Sequence, residues 1–224
     1  MSTPVLKPEQ DSKSPIAIVG MASLFAGSAD LDAYWDLIRN KVDAIIDVPA
    51  SRWHIDDYFD SDKSSPDKVY CRRGGFIPDI DFDPMEYGLP PNILELTDTS
   101  QLLSLVVAKD ALADAGLSDA TAEQRNKIGV VLGVGGGQKI SHSLNARLHY
   151  PVLKKVLLNS GVSEEDATLV VEKFKSQYVH WEENSFPGSL GNVIAGRIAN
   201  RFDLGGMNCV VDAACAGSLA ATKM

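Results

Sequence analysis

The sequence predicts an α/β fold. Short β-branched apolar runs, "PIAIVG", "NKIGVVLG" and "MNCVVDAAC", read as buried strands. Between them lie longer segments with apolar residues at helical spacing, so strands and helices alternate along the chain. With 224 residues and 45% hydrophobic content, the chain is long enough for one large domain or two small ones.

Taken in order, residues 1–14 are polar and read as a disordered tail. The run "PIAIVGMASLF" follows as a buried strand ending at Gly20. In "SADLDAYWDLIRNK", Asp30 stands as a cap, and Leu31, Tyr34, Trp35 and Ile38 recur at helical spacing. Residues 47–98 are dense in Pro, Gly, Asp and Ser yet rich in aromatics, which predicts an ordered, loop-rich insertion. "TSQLLSLVVAKDALADAGL" predicts an amphipathic helix with Leu102, Val106, Leu112 and Ala113 on its buried face and Gly116 as its stop. "NKIGVVLGVGGG" is a strand entering a glycine turn. Residues 150–181 read as two helices broken at "NSGVSEED", with Ser163 as cap. "PGSLGNVIAGRIANRFDLGG" predicts one helix from Pro187 to near Gly205. A last strand, "MNCVV", runs into a final helix.

Composition excludes several classes. Charged residues are 23% and aromatics 7%, ordinary for a globular protein. A net charge of -9 argues against a nucleic-acid surface, which needs clustered Lys and Arg. Cys71, Cys209 and Cys215 form no paired framework and no CxxC, so reduced thiols in the cytoplasm are expected. The start lacks an apolar signal core, and no apolar run approaches the ~18 residues of a membrane span.

Few residues carry chemistry by pattern alone. "GVGGGQ" departs from the dinucleotide fingerprint because Gln138 stands at its sixth position, so its glycines read as a close turn beside other backbone. His54, His142, His149 and His180 have no metal-ligand spacing and read as solvated or satisfied side chains. The run Asp56, Asp57, Asp60 and Asp62 reads as a solvated loop that caps turns.

Cys215 is the exception. Val210 and Val211 read as strand and Gly217 to Thr222 as helix, so the thiol sits at the junction. A helix N-terminus lowers a thiol pKa from its ordinary ~8.5, because unpaired N–H groups favour the anion. The small neighbours Ala213, Ala214, Ala216 and Gly217 permit a tight turn and close approach of a thioester. The Cys215 N–H would then help form an oxyanion hole. The competing reading is a buried cysteine behaving as a small hydrophobe. Spacing alone leaves both open; Cys71 and Cys209 take the second.

These segments together resemble a known family. "VVDAACAGSLAA" resembles the active-site segment of β-ketoacyl synthases, where strand, acylated cysteine and helix occur in this order. "PIAIVGMASLFAGSADLDAYWDLI" is similar to the opening of ketosynthase domains of modular polyketide synthases. "PASRWHIDDYFDSD" with "KVYCRRGGFIPDIDFDPMEYG", "LTDTSQLLSLVVAKDALADAGL" and "GSLGNVIAGRIANRFDLGG" resemble their later segments. Ser14 to Met224 is covered. "TDTSQLL" and "DAACAGSL" look most like the first ketosynthase of bacterial polyunsaturated fatty acid synthases, since Ala216 and Gly217 stand where polyketide modules tend to carry two serines.

The resemblance implies a thiolase-like layered fold (αβαβα), of which residues 15–224 are the N-terminal half only, truncated after the nucleophile. It implies an acyltransferase of the 3-oxoacyl-[acyl-carrier-protein] synthase type. Cys215 would accept an acyl group and condense it with malonyl-carrier by decarboxylation. No cofactor or metal is implied, because the acyl groups ride on the phosphopantetheine of acyl carrier protein domains. A homodimer is expected, with no nucleic acid and no membrane. The family's catalytic histidines belong to its other half, and no histidine here matches their motifs, so the isolated chain is expected to be inactive. Two alternatives remain: a non-catalytic fragment or scaffold binding an acyl carrier or sister subunit, and a thiolase-like acyltransferase. "RWHIDDYFD" and "RRGGF" favour a ketosynthase over a thiolase, and Cys215 disfavours a chain-length factor.

Overall fold

The computed structural model describes residues 15–224, so the tail read over 1–14 lies outside the described residues. In chain order come α1 (Leu31–Arg39), β1 (Ile45–Asp47), α2 (Ile55–Tyr58), β2 (Arg73–Gly75), a 3₁₀ turn (Pro91–Ile93), α3 (Thr99–Asp114), α4 (Ala122–Arg125), β3 (Val130–Gly133), α5 (Lys139–Leu148), α6 (Tyr150–Asn159), α7 (Glu164–Lys175), α8 (Ser185–Gly188), α9 (Val193–Arg201), β4 (Asn208–Val211), a second 3₁₀ turn (Ala214–Ala216) and α10 (Gly217–Lys223).

β3 and β4 pair in parallel, with Val130 opposite Asn208 and Gly133 opposite Val211. Parallel strands need a long crossover, and α5 to α9 supply it. β1 and β2 pair antiparallel, Ile45 opposite Gly75, and close the loop-rich insertion at its base. The core forms where α3 and α9 pack together beside β3. Leu105, Ile194, Ala195, Ile198, Ala199 and Val130 are buried there, joined by Tyr87, Leu89 and Leu204. Ile194 and Ile198 lie one turn apart on α9, so one stripe of that helix meets the strands. Burying each large side chain contributes about 1.5–3 kcal/mol.

Three expectations need correction. The strand expected in "PIAIVG" is absent: Ile16, Ile18 and Val19 are 96%, 81% and 69% exposed. Among the described residues β3 pairs only with β4, and the segment joins neither strand. The segment is instead tethered at its end. The Met21 N–H donates to Asp114 Oδ2 at 2.7 Å, and Gly20 sits so close to α3 that a Cβ would lie 2.6 Å from the Ala115 nitrogen.

The second correction concerns α3. Its most enclosed side chains are Leu105 and Gln101, while Leu102, Val106 and Leu112 are half-buried and Ala113 is exposed. Apolar residues lie around most of this helix, so periodicity alone did not fix the buried face. The third is the helix expected from Pro187. Pro187 ends up inside the single turn α8, and α9 starts only at Val193. The break follows from packing. Gly188 lies against the backbone of Leu96, where a Cβ has no room, and its carbonyl accepts the Asp98 N–H at 2.9 Å.

Two helix starts and one helix stop follow their local signals. Asp30 caps α1 by accepting the Ala33 N–H at 2.7 Å, and Ser163 caps α7 by accepting the Asp166 N–H at 3.0 Å. Gly116, at φ +68°, turns the chain after α3.

Gln101 is the polar member of the core, fully buried. Its Nε2 lies 3.0, 3.0 and 3.1 Å from the carbonyls of Pro187, Gly188 and Leu190. Its Oε1 accepts from Arg197 Nε at 2.8 Å. One side chain thus joins α3, the α8 turn and α9. Gln101→Leu, of similar size, should cost about 2–3 kcal/mol, because buried polar groups lose their partners. Urea denaturation measures this, and an unchanged midpoint would contradict it.

Candidate active site

The junction after β4 is built from the end of β3. Gly133 closes β3 against the first turn of α10: a Cβ there would lie 2.6 Å from the Ser218 nitrogen and collide with Gly217. Two residues on, a Cβ on Gly135 would lie 2.9 Å from Asp212 Oδ1. The Val134 N–H donates to the Val211 carbonyl at 3.0 Å, extending the pairing into the turn. The glycine turn is therefore a close approach of backbones, as the sequence predicted, and it meets the chain on both sides of Cys215.

β4 ends at Val211, and Asp212 Oδ1 accepts the Ala214 N–H at 3.0 Å. Ala214 then adopts φ +46°, a left-handed conformation that costs an L-residue with a Cβ roughly 1 kcal/mol. The Ala214–Ala216 turn carries Cys215 directly into α10. Cys215 is exposed among the described residues. Among the described residues its backbone N–H donates to no protein acceptor, which leaves it free for a substrate oxygen. Cys209 lies half-buried within β4, matching its structural reading. Cys71 does not: it is exposed, and its thiol donates to the Arg73 carbonyl at 3.4 Å.

A second set of polar residues holds the far end of the glycine turn. Asp98 caps α3 through the Ser100 N–H at 2.9 Å, and its other oxygen accepts the Ile140 N–H at 3.0 Å. Ser100 Oγ lies 2.7 Å from Asp98 Oδ1 and 2.8 Å from Gln138 Oε1. Asp98 and Gln138 are both buried. Burial pushes the Asp98 carboxyl up, but hydrogen bonds from Ser100, Ile140 and Lys139 together outweigh it and hold the carboxyl below its ordinary range. Sequence reasoning missed this group. An aspartate directly before "TSQ" at a helix start is a capping signal that points to it.

The histidines stay apart from this junction in their contacts. His54 precedes α2 without capping it. His142 is exposed on α5, its Nε2 3.7 Å from where a Gly137 Cβ would stand. His149 is exposed between α5 and α6, and His180 Nδ1 lies 3.1 Å from Arg147 Nη2. Asp60 and Asp62 accept from the backbone of Asp62 and Ser64 and so cap turns, as expected. Among the described residues, no group of three or more His, Cys, Asp or Glu is placed to hold a metal ion, and no helix is long and apolar enough to cross a membrane.

Comparison with known proteins gives the family of the chain. A family model described as the beta-ketoacyl synthase, N-terminal domain, matches residues 13–224. The chain is 48% identical over 216 residues to one subunit of the polyunsaturated fatty acid synthase of Thraustochytrium sp., covering 96% of this chain and 8% of that protein. To the pikromycin polyketide synthase component PikAIII of Streptomyces venezuelae it is 31% identical over 219 residues, covering 96% of this chain and 12% of that one. A solved structure of the PfaC keto synthase–chain length factor aligns with a TM-score of 0.73 at 29% identity, over 92% of this chain and 22% of its own. The chain belongs to the β-ketoacyl synthase family and carries its N-terminal domain, in the thiolase-like α/β fold. It spans only a small part of the synthases it matches.

The Asp98 carboxyl gives this site a pH dependence. Its folded pKa is depressed, so its contribution to stability is present above the unfolded value of about 3.9 and is lost as pH falls through the folded value. Chemical unfolding followed from pH 6 downward should therefore show a steeper loss below about pH 4 in wild type than in Asp98→Asn. Parallel profiles would remove Asp98 from this role.

Proposed function

We propose that this chain is the nucleophile-bearing half of a ketosynthase in a multidomain polyunsaturated fatty acid or polyketide synthase, with Cys215 as the acylated residue. The observation that carries this is the exposed thiol of Cys215 between β4 and α10, in a chain of the ketosynthase family. Its sulfur attacks the carbonyl of an acyl thioester on a carrier, and the departing phosphopantetheine thiol takes up the proton that Cys215 gives. The free Cys215 N–H supports the oxyanion. A malonyl thioester then loses carbon dioxide, and its enolate attacks the acyl–Cys215 carbonyl. The Cys215 thiolate leaves and regains a proton, and the product is a β-ketoacyl thioester two carbons longer. Covalent capture divides the reaction, and positioning on the second carrier completes it.

The partners are acyl carrier protein domains bearing acyl and malonyl thioesters, and a second copy of the enzyme in a homodimer, in the cytoplasm. No cofactor is bound directly. The high similarity to a polyunsaturated fatty acid synthase supports that branch over modular polyketide synthases. Exposed apolar side chains at Ile16, Ile18, Val19 and Leu219 support a reading in which further protein covers them.

Incubation with an acyl-pantetheine thioester should place the acyl group on Cys215, with the exposed Cys71 as internal control. Cys215→Ala should abolish condensation while shifting stability by no more than on the order of 1 kcal/mol. A variant with native-like melting that still elongates acyl chains would rule out the covalent route. The 224 residues alone should release no carbon dioxide from malonyl-carrier, because no histidine among them matches the family's decarboxylation motifs. They should also scatter light as an oligomer; a monodisperse, active monomer would overturn the assignment.

A further inference from the structure

We propose that Asp212 is the positioning residue for Cys215, and that it acts by holding Ala214 in the left-handed conformation from which the cysteine turn begins. The inference rests on the reading of Cys215 as nucleophile given above, and three observations support it. Asp212 is the first residue beyond β4, and its Oδ1 accepts the Ala214 N–H at 3.0 Å. Ala214 is one of four non-glycine residues with positive φ among the described residues, at +46°, and it immediately precedes Cys215. Gly135, from the turn after β3, lies against the same pair: a Cβ there would stand 2.9 Å from Asp212 Oδ1 and 3.6 Å from the Ala214 Cα.

The physical sequence is direct. A residue with a Cβ enters the left-handed region only when its surroundings over-determine it. A short carboxylate that accepts the N–H two residues on supplies that constraint and competes with other backbone conformations. Ala213 and Ala214 have no side-chain group that could do so. Once Ala214 is set, the following turn aims Cys215 at the start of α10, whose other side is fixed by Gly133. Gly135 leaves the space in which the Asp212 carboxylate sits. The role needs an acceptor atom rather than a charge, which distinguishes Asp212 from a base or an electrostatic partner of the thiol.

Substitution in the ketosynthase carrying this chain tests it. Asp212→Ala should slow acyl transfer from an acyl-pantetheine thioester to Cys215 by about tenfold to a hundredfold, the range expected for a small misplacement of a reacting atom. Asp212→Asn keeps an acceptor oxygen and should restore most of that loss. Adding Ala214→Gly to Asp212→Ala should also recover part of the rate, since glycine takes the left-handed conformation without a Cβ penalty. The Ala214 amide should exchange faster with solvent in Asp212→Ala than in wild type. Equal loading by wild type and Asp212→Ala would overturn the inference and leave the Cys215 reading intact. So would an Asp212→Asn as slow as Asp212→Ala together with no rescue by Ala214→Gly. If wild type takes no acyl group, the Cys215 reading falls, and amide exchange then decides whether Asp212 holds the turn: unchanged exchange in Asp212→Ala overturns it.

Discussion

The contact between the last residue of β3 and the first turn of α10 is the constraint on which this structure turns. Gly133 and Gly217 meet backbone to backbone, with no room for a Cβ on Gly133. That approach sets how far α10 lies from the β3–β4 pair, and Cys215 sits just before the contact. The parallel register of β3 and β4 brings Gly133 opposite Val211, so the strand pairing delivers the glycine turn to the place where the cysteine emerges. Gly135 then receives Asp212, and the two glycines fix the chain on either side of the thiol.

A polar framework ties distant segments to the same place. Asp98 joins the start of α3 to Ile140, just past the glycine turn, and Gln101 joins α3 to the carbonyls around Gly188 and to Arg197. Buried polar groups are costly unless every partner is in place. These side chains therefore allow one arrangement of α3, the glycine turn and α9 where an apolar core would tolerate several. Apolar burial around Leu105, Ile194 and Ile198 supplies the driving force, and the polar links select the geometry.

Much of the site was legible in the sequence because it depends on local chemistry. The strand–cysteine–helix order around Cys215, the capping residues Asp30 and Ser163, and the close-turn reading of the glycines after β3 all follow from short-range rules about β-branched runs, capping oxygens and missing Cβ atoms. The structure reproduces each of them. The motifs also carried the family, since several segments in order identify a ketosynthase where a lone cysteine does not.

What needed the tertiary structure involves residues far apart in the chain. "PIAIVG" has a strand's composition, but strand pairing is a property of two segments, and here Ile16 and Ile18 stand exposed outside any sheet. The break between α8 and α9 comes from Gly188 meeting Leu96, and the buried face of α3 from where α9 lands, neither of which periodicity records. Asp98, Gln101 and Asp212 read as ordinary polar residues until their acceptors and donors are known. The sequence by itself determined the α/β class, the family and the cysteine at a strand-to-helix junction, because those depend on short motifs and on neighbours a few residues away. Only the tertiary structure decided which backbone meets which, because close packing and hydrogen-bond partnership are properties of pairs that folding brings together.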